Sequence, residues 1–514
     1  MQPTQNSNAN NKRIAKNTLL LYGRMLIMML ISLYTSRVII NALGIEDYGI
    51  YGVVGGVVSM FSIISGSLNA AISRFITFEL GKGDKEKLKK VFCTAINVQI
   101  LLIAIITILL ETIGLWVINY KLVVPNERII AVNWVFQFSI LTFALNLICV
   151  PYSAAIIAHE KMSVFAYISI FDAVSKLVIS YLILLNPFDR LVYYGLLLLV
   201  IGIIQRFIYT IYCTKHYEEC HYHFVFDKII IKEFFSFAGW NFIGASSVVL
   251  RDQGGNLLIN LFFGPAVNAA RSVAMSVNNA VMGFVTNFMT ALNPQLTKSY
   301  AVGDYEYSLK LVFQGARFSF YILLLLALPV IFTAQYLLEL WLGIVPEHAT
   351  NFTRLVLIFT MSESLANPLV TLMLATGKIR NYQIYVGGIQ LLNLPVSYLL
   401  FQFGYPPECV FVVAIVISII CEIVRLCMLK KMVGLSIRSF MKKVYLNVVV
   451  VSSASVVLPY IAVRFLGIDS SEHFFELCII SLLSTVSSIY FFGCDKRDKK
   501  LIKMFINRVL KKLK

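Results

Sequence analysis

The chain has 514 residues, 58% of them hydrophobic and 14% charged, with a mean hydropathy of +0.78 and a formal net charge of +17. Soluble domains carry about 25% charged residues. This much apolar surface cannot be buried inside a water-facing globule, so a soluble fold is excluded and lipid is the expected solvent.

The polar, basic opening "MQPTQNSNANNKRIAK" leads into an apolar run too long for a signal-peptide core and without a small-residue cleavage site, so the first run is read as a retained span. Runs of about 20 apolar residues, the length an α-helix needs to cross hydrocarbon, then recur to Gly493. They predict an all-α polytopic membrane protein with about fourteen helices: 17–43, 49–79, 91–118, 129–157, 163–185, 191–213, 234–262, 268–296, 311–335, 350–374, 382–403, 409–429, 444–465 and 474–492. Basic residues collect in alternate connections, such as "GKGDKEKLKK", "HEKM", "TGKIRN" and "KKMVGLSIRSFMKK". That side carries 30 Lys and Arg, against three on the other, Lys121, Arg128 and Arg190. Positive loops stay in the cytoplasm, so both termini are expected there. The opposite connections ("GIEDY", "NPFD", "GPAV", "GYPPE") are too short for a catalytic outer domain, so no enzyme is expected. The tail 494–514 places Leu501, Ile502, Phe505, Ile506, Val509, Leu510 and Leu513 between basic residues, a one-sided helix suited to anionic membrane lipids. No nucleic-acid partner is expected.

A weak internal repeat runs through the chain. Gly44 and Gly264 are offset by 220, as are Gly83-Asp84 and Gly303-Asp304; Pro151 and Pro368, Ala158 and Ala375, and Lys161 and Lys378 are offset by 217. The first six helices therefore map onto the next six, as parallel repeats about an axis along the membrane normal. The expected organisation is an N-terminal six-helix lobe 1–213, a linker 214–233, a C-terminal six-helix lobe 234–430, two additional helices 431–493 and the basic tail 494–514.

Eleven cations fall inside predicted spans. Each costs about 2.5–3.5 kcal/mol at mid-helix by insertion scales, so each must face protein or a wet cavity. Arg37, Arg74, Arg206, Arg271, Arg354 and Arg464 lie near helix ends, where snorkelling to the interface is the alternative. Arg251 and Asp252 lie mid-span beside Gly254-Gly255. Asp172 and Lys176 share one face of the fifth helix four residues apart, either as a neutralising pair or as ligand contacts. Glu363 is mid-span in the tenth. Arg251, Asp252, Lys176, Asp172, Arg24, Arg37, Arg74, Arg271 and Glu363 are the candidate binding residues. Asn278, Asn279, Asn287 and Asn293 stripe the eighth helix, a pattern expected for interhelical hydrogen bonds. His216, Cys220, His221 and His223 match no zinc spacing, and neither metal nor cofactor is expected. The nine cysteines form no disulfide framework.

The stretch "SRVIINALGIEDYGIYGVVGGVVSMFSIISGSLNAAISRF" resembles the opening of the bacterial polysaccharide-transport flippases, which export O-antigen and capsule units. Arg37, Leu43-Gly44, Glu46-Asp47, Tyr48-Gly49 and Arg74 carry the likeness; "ISGSLNAA" departs from the family's usual Asp-Leu-Gly-like step. The wider superfamily includes multidrug and toxin extrusion pumps and the lipid-linked peptidoglycan precursor flippase. The resemblance implies two lobes enclosing a cavity that opens alternately to each side, with the last two helices lining a groove for a lipid tail. It also implies a polyprenyl-diphosphate-linked oligosaccharide as substrate, and a polysaccharide polymerase and chain-length regulator as pathway partners. A drug exporter of the same superfamily would want buried carboxylates in excess of cations, and the spans show the reverse.

Overall fold

The computed structural model describes residues 3–43, 61–120, 126–185, 189–225, 227–343, 345–466 and 471–495, with Lys499 and isolated positions between 47 and 58. Among these no strand occurs. The helices are α1 (Pro3–Leu43), α2 (Ser62–Lys82), α3 (Lys85–Leu109), α4 (Leu115–Tyr120), α5 (Ile129–Ala158), α6 (Met162–Leu182), α7 (Arg190–His216) and α8 (Lys228–Ala301). They continue as α9 (Tyr305–Leu342), α10 (Ala349–Thr376), α11 (Arg380–Leu391), α12 (Asn393–Gln402), α13 (Cys409–Val433), α14 (Ile437–Phe440), α15 (Leu446–Leu466) and α16 (Ser471–Ser488). Eleven segments among the described residues are long and apolar enough to cross a membrane. The protein is an all-α, multi-pass membrane protein.

Local chemistry sets where helices begin and end. Asp84, Asp189 and Asp227 stand just before α3, α7 and α8, and each side chain accepts from backbone N–H groups of the first turn. Such caps contribute about 1 kcal/mol each. Gly83 ends α2 in the left-handed region that a residue without Cβ adopts freely. The predicted seventh and eighth helices are one 74-residue element broken at Gly264 (φ 82°), inside the "GPAV" connection. α9 outruns its predicted end at 335 and continues through Trp341, because Gln335 interrupts the apolar run without stopping the helix. The second predicted span falls partly outside the described residues, and so does all of the tail but Cys494, Asp495 and Lys499.

Some positions related by the repeat offset share a backbone conformation. Gly83 and Gly303 share φ near 80°, and Pro151 and Pro368 both sit inside helices. Gly377 (φ 75°) closes α10, and the position 217 residues earlier is Glu160, which adopts φ 58° after α5.

The chain forms two compact units, residues 1–245 with 290–304, and residues 246–289 with 305–514. These units and the repeat divide the chain differently. In the first unit, α1 packs on α6, and α5 on α2 and α7. Its interior includes Phe92 and Phe136, with a cluster of Ile39, Ile179, Ile183 and Tyr194. In the second, α10 packs against α9 and α13 around Ile259, Ala274, Leu338, Phe352 and Phe411, and α15 packs against α16. Large apolar side chains such as Phe207, Ile211, Phe403 and Phe465 are exposed, as a lipid-facing surface requires and a water-facing one disfavours.

Candidate functional site

The second unit holds a cavity of about 260 Å³ whose lining includes Arg251, Asp252, Arg271 and Glu363, four of the residues expected to bind substrate. α8 supplies the first three from either side of its Gly264 break, and α10 supplies Glu363. Arg251 Nε donates to Asp252 Oδ1 at 2.9 Å, and its guanidinium lies 5.1 Å from the Phe359 ring centroid. The Arg251 side chain is only 12% exposed while that of Asp252 is 40% exposed. Arg271 Nη2 donates to the backbone carbonyl of Asp252 at 3.0 Å. At 9% exposure Arg271 is buried and turned inward, which corrects the snorkelling alternative for this residue. Its break-side position brings it back over the preceding half of α8.

Glu363 accepts from Ser418 Oγ at 2.7 Å and lies in the field of Arg425, which also faces Tyr382. Sequence reasoning did not place Arg425 or Glu422 at the site. Both are almost fully buried on α13, and the apolar run around them gave no sign that they approach Glu363. The cavity lining thus carries two arginines and two carboxylates. An excess of cations counted along the spans does not survive as an excess on this surface, because Arg425 stands behind Glu363 rather than in the lining.

Polar but uncharged groups complete the wall. Asn278 accepts from Thr360 at 2.6 Å, the interhelical bond expected of the asparagine stripe. Asn279 lines the cavity, and Asn287 donates to Gly283 of its own helix. Asn393 is 2% exposed, and its Nδ2 finds no partner among the described residues although the residue lines the cavity. A buried donor left without a partner costs about 1–3 kcal/mol, which a ligand acceptor would recover.

The remaining predicted residues lie in the first unit. Lys176 Nζ meets Asp172 Oδ2 at 2.7 Å, one helical turn away, with the lysine 47% exposed and the acid 20%. Arg24 donates to Ser169 Oγ at 3.2 Å and stacks over Phe165, and both Arg24 and Asp172 act electrostatically on Tyr209. Arg74 sits among the rings of Phe75, Phe78 and Phe237, in the field of Glu233 and Glu79. That aromatic cage holds it in protein rather than at an interface. The Arg37 side chain lies outside the described residues. Arg206 donates to Thr210 and Tyr152, and Arg354 to the Ile331 carbonyl. His216 and His223 each bond a backbone carbonyl, and among the described residues no three His, Cys, Asp or Glu gather as a metal site.

A second charged cluster, absent from the sequence expectations, surrounds Glu160 in the turn between α5 and α6. Its carboxylate, 2% exposed, meets Arg13 Nε at 2.6 Å and Lys298 Nζ at 3.0 Å and accepts from Gln295. Its carbonyl accepts from Asn17. The cluster binds α1, the α5–α6 turn and the end of α8 within the first unit. Close approach continues at Gly81, where a Cβ would lie 2.9 Å from Lys298 Cα.

Comparison with known proteins places these features in a family. Residues 14–300 match the family described as polysaccharide biosynthesis protein. An uncharacterised membrane protein, EpsK of Bacillus subtilis (strain 168), is 21% identical over 323 residues, covering 62% of this chain. The chain spans 63% of the length of that relative. Among solved structures, an outward-facing multidrug resistance MATE transporter of the MOP superfamily superposes with a TM-score of 0.70 at 13% identity, over 83% of this chain and 96% of that one. A MOP superfamily transporter from Pyrococcus furiosus gives 0.68 at 12% identity, over 83% and 96%. Those likenesses establish the fold that the helix count and the repeat had suggested. With the family match extending over more than half of its length, the chain belongs to the polysaccharide biosynthesis protein family and has the fold of the MOP superfamily transporters.

Proposed function

We propose that this protein is a flippase that carries a polyprenyl-diphosphate-linked oligosaccharide, an O-antigen, capsule or exopolysaccharide repeat unit, from the inner to the outer leaflet of the bacterial cytoplasmic membrane. Both termini face the cytoplasm in this reading, and access alternates between the two sides. The observation that carries it is the pair Arg251 and Arg271, two shielded guanidiniums on one cavity. Arginine suits phosphate oxygens because its planar fork donates two parallel hydrogen bonds. Asp252 occupies Arg251 in the absence of substrate, and its greater exposure lets it swing aside when a diphosphate arrives. Asn278, Asn279 and Asn393 offer amides to sugar hydroxyls. The polyprenyl chain stays in lipid, so only the headgroup needs a polar path. Export of an anion from an inside-negative cell gains about 2.3 kcal/mol per charge per 100 mV.

The multidrug reading has one observation in its favour, the two carboxylates Asp252 and Glu363 in the lining. Each is already engaged, however, by Arg251 and by Ser418. Pocket polarity varies on this fold: the Pyrococcus furiosus transporter is described as having a binding pocket of reverse polarity, suggesting a different function. Complementation of a flippase-deficient strain tests the reading. Arg251→Ala should abolish glycan export at near-normal protein level, and Arg251→Lys should restore part of it, since it keeps the charge and loses the fork. Full export by Arg251→Ala, or saturable efflux of a lipophilic cation by the parent protein, would refute the proposal.

A further inference from the structure

The second unit contains another, larger cavity, of about 430 Å³, within the range of about 300–1,000 Å³ typical of ligand sites. It lies where α9 ends and α10 begins, at the ends of these helices remote from the Val302–Asp304 and Gly377–Ile379 connections. Gln335, Glu347, His348, Thr350, Asn351 and Arg354 supply its polar wall.

Arg354 is set in place by the fold. α9 departs from helical geometry at Thr333, four residues after Pro329, and the Ile331 carbonyl accepts from Arg354 Nε at 3.0 Å. That bond fixes the guanidinium plane and leaves its two terminal amino groups for the cavity. No described residue forms an ion pair with Arg354. The neighbouring groups are held just as firmly. His348 adopts φ 67°, a conformation costing about 1–3 kcal/mol for a residue with a Cβ, and strain of this size concentrates at functional sites. Its Nδ1 meets Glu408 Oε1 at 2.7 Å, and Asn351 Nδ2 donates to the same oxygen. Thr350 donates to Gln335 at 2.6 Å.

We propose that this cavity binds an acidic sugar, with the sugar carboxylate on the two terminal nitrogens of Arg354 and the ring hydroxyls on Gln335, Thr350 and Asn351. A planar carboxylate matches the guanidinium fork, and amides and hydroxyls in a fixed array match a pyranose. The Glu347 side chain lines the cavity but is 90% exposed, and Glu408 and Glu339 stand behind His348 and Gln335. Three carboxylates so close repel a phosphate dianion more strongly than a singly charged sugar acid. The inference goes beyond the flippase reading: it concerns a site separate from the Arg251 cavity and assigns recognition of uronic-acid residues to it.

The test is binding of free glucuronate to the purified full chain in nanodiscs, read by saturation-transfer difference NMR, with glucose and inorganic phosphate as the other arms. Glucuronate should bind saturably, glucose at least roughly tenfold more weakly, and phosphate should fail to displace glucuronate. Arg354→Ala should remove glucuronate binding and Arg354→Lys should weaken it severalfold, both with an unfolding temperature near that of the parent. Asn351→Ala should weaken it as well without touching the arginine. Arg251→Ala should bind glucuronate as the parent does, so failure of the Arg251 reading and failure of this one are separate results. Absence of saturable glucuronate binding, equal binding of glucose, or displacement by phosphate at equal concentration would each overturn the proposal.

Discussion

Replacing Glu160 by glycine, alanine and glutamine separates two opposed contributions at one residue. Its φ of 58° places a Cβ where L-residues are disfavoured by about 1–2 kcal/mol, while its carboxylate, 2% exposed, joins Arg13, Gln295 and Lys298. Breaking a fully buried pair by removing one partner costs about 3–5 kcal/mol. Here the Arg13 side chain is 50% exposed and that of Lys298 23%, so both cations can partly return to water and the loss shrinks to about 2–3 kcal/mol. Glu160→Ala loses the pairs and keeps the strain. Glu160→Gly loses the pairs and relieves the strain, which should leave it about 1 kcal/mol more stable than the alanine variant and still below the parent. Glu160→Gln followed by Lys298→Ala should cost less than the two single losses added, because they share one cluster. The assay is unfolding in one fixed detergent, followed by intrinsic fluorescence. Alanine at or above glycine would show that the left-handed geometry is not costly. Alanine at the stability of the parent would show that the charge cluster contributes nothing.

Deleting Asp172 and Lys176 together should leave insertion nearly normal, because no unpaired charge remains, yet lower glycan export; parental export would reduce the pair to scaffolding. Glu408, at the foot of α13, is disfavoured as an anion by burial, but the His348 hydrogen bond and its backbone and Asn351 bonds outweigh that and hold its carboxyl below the usual range. A depressed carboxylate stabilises at pH above its unfolded value of about 4.5, and the contribution is lost as pH falls through the folded value. The stability gap between the parent and Glu408→Gln should therefore close below about pH 4.5, and a gap that widens in acid would contradict this. Asp252→Asn removes the acid that occupies Arg251, so the cavity should bind inorganic pyrophosphate more tightly than in the parent; unchanged or weaker binding would show that Asp252 does not compete for the arginine.

The spans were legible because lipid imposes one requirement on every residue of a crossing helix, and the requirement shows in length and polarity. The break at Gly264 was legible for a similar reason, since "GPAV" pairs a residue free at positive φ with one that cannot donate. Glu160 was not. In "HEKM" it reads as one more charge in a basic connection, and its partners Arg13, Gln295 and Lys298 lie more than 130 positions away. The repeat did carry a signal: the offset that pairs Ala158 with Ala375 sets Glu160 against Gly377, an acid where the other copy needs a left-handed turn. An offset read for landmarks alone missed that mismatch.

Buried charge is a different case, since its presence can be read along the chain and its balance cannot. Arg251, Asp252, Arg271 and Glu363 stood out because each is costly in a span, and all four do line one cavity. Whether such a group meets ligand or protein depends on what stands behind it, and that is set by helix packing. Arg425 behind Glu363 and the Ile331 carbonyl beside Arg354 have no counterpart in local sequence pattern. The cation excess of the spans is therefore weaker support for an anionic substrate than the count alone suggests, because part of it is neutralised inside the protein. What supports the reading is two shielded guanidiniums on one cavity, one of them paired with a more exposed acid. In the proposed flippase cycle, the pairing of Arg251 with Asp252 limits the cost of holding an unpaired charge in the membrane when no substrate is bound.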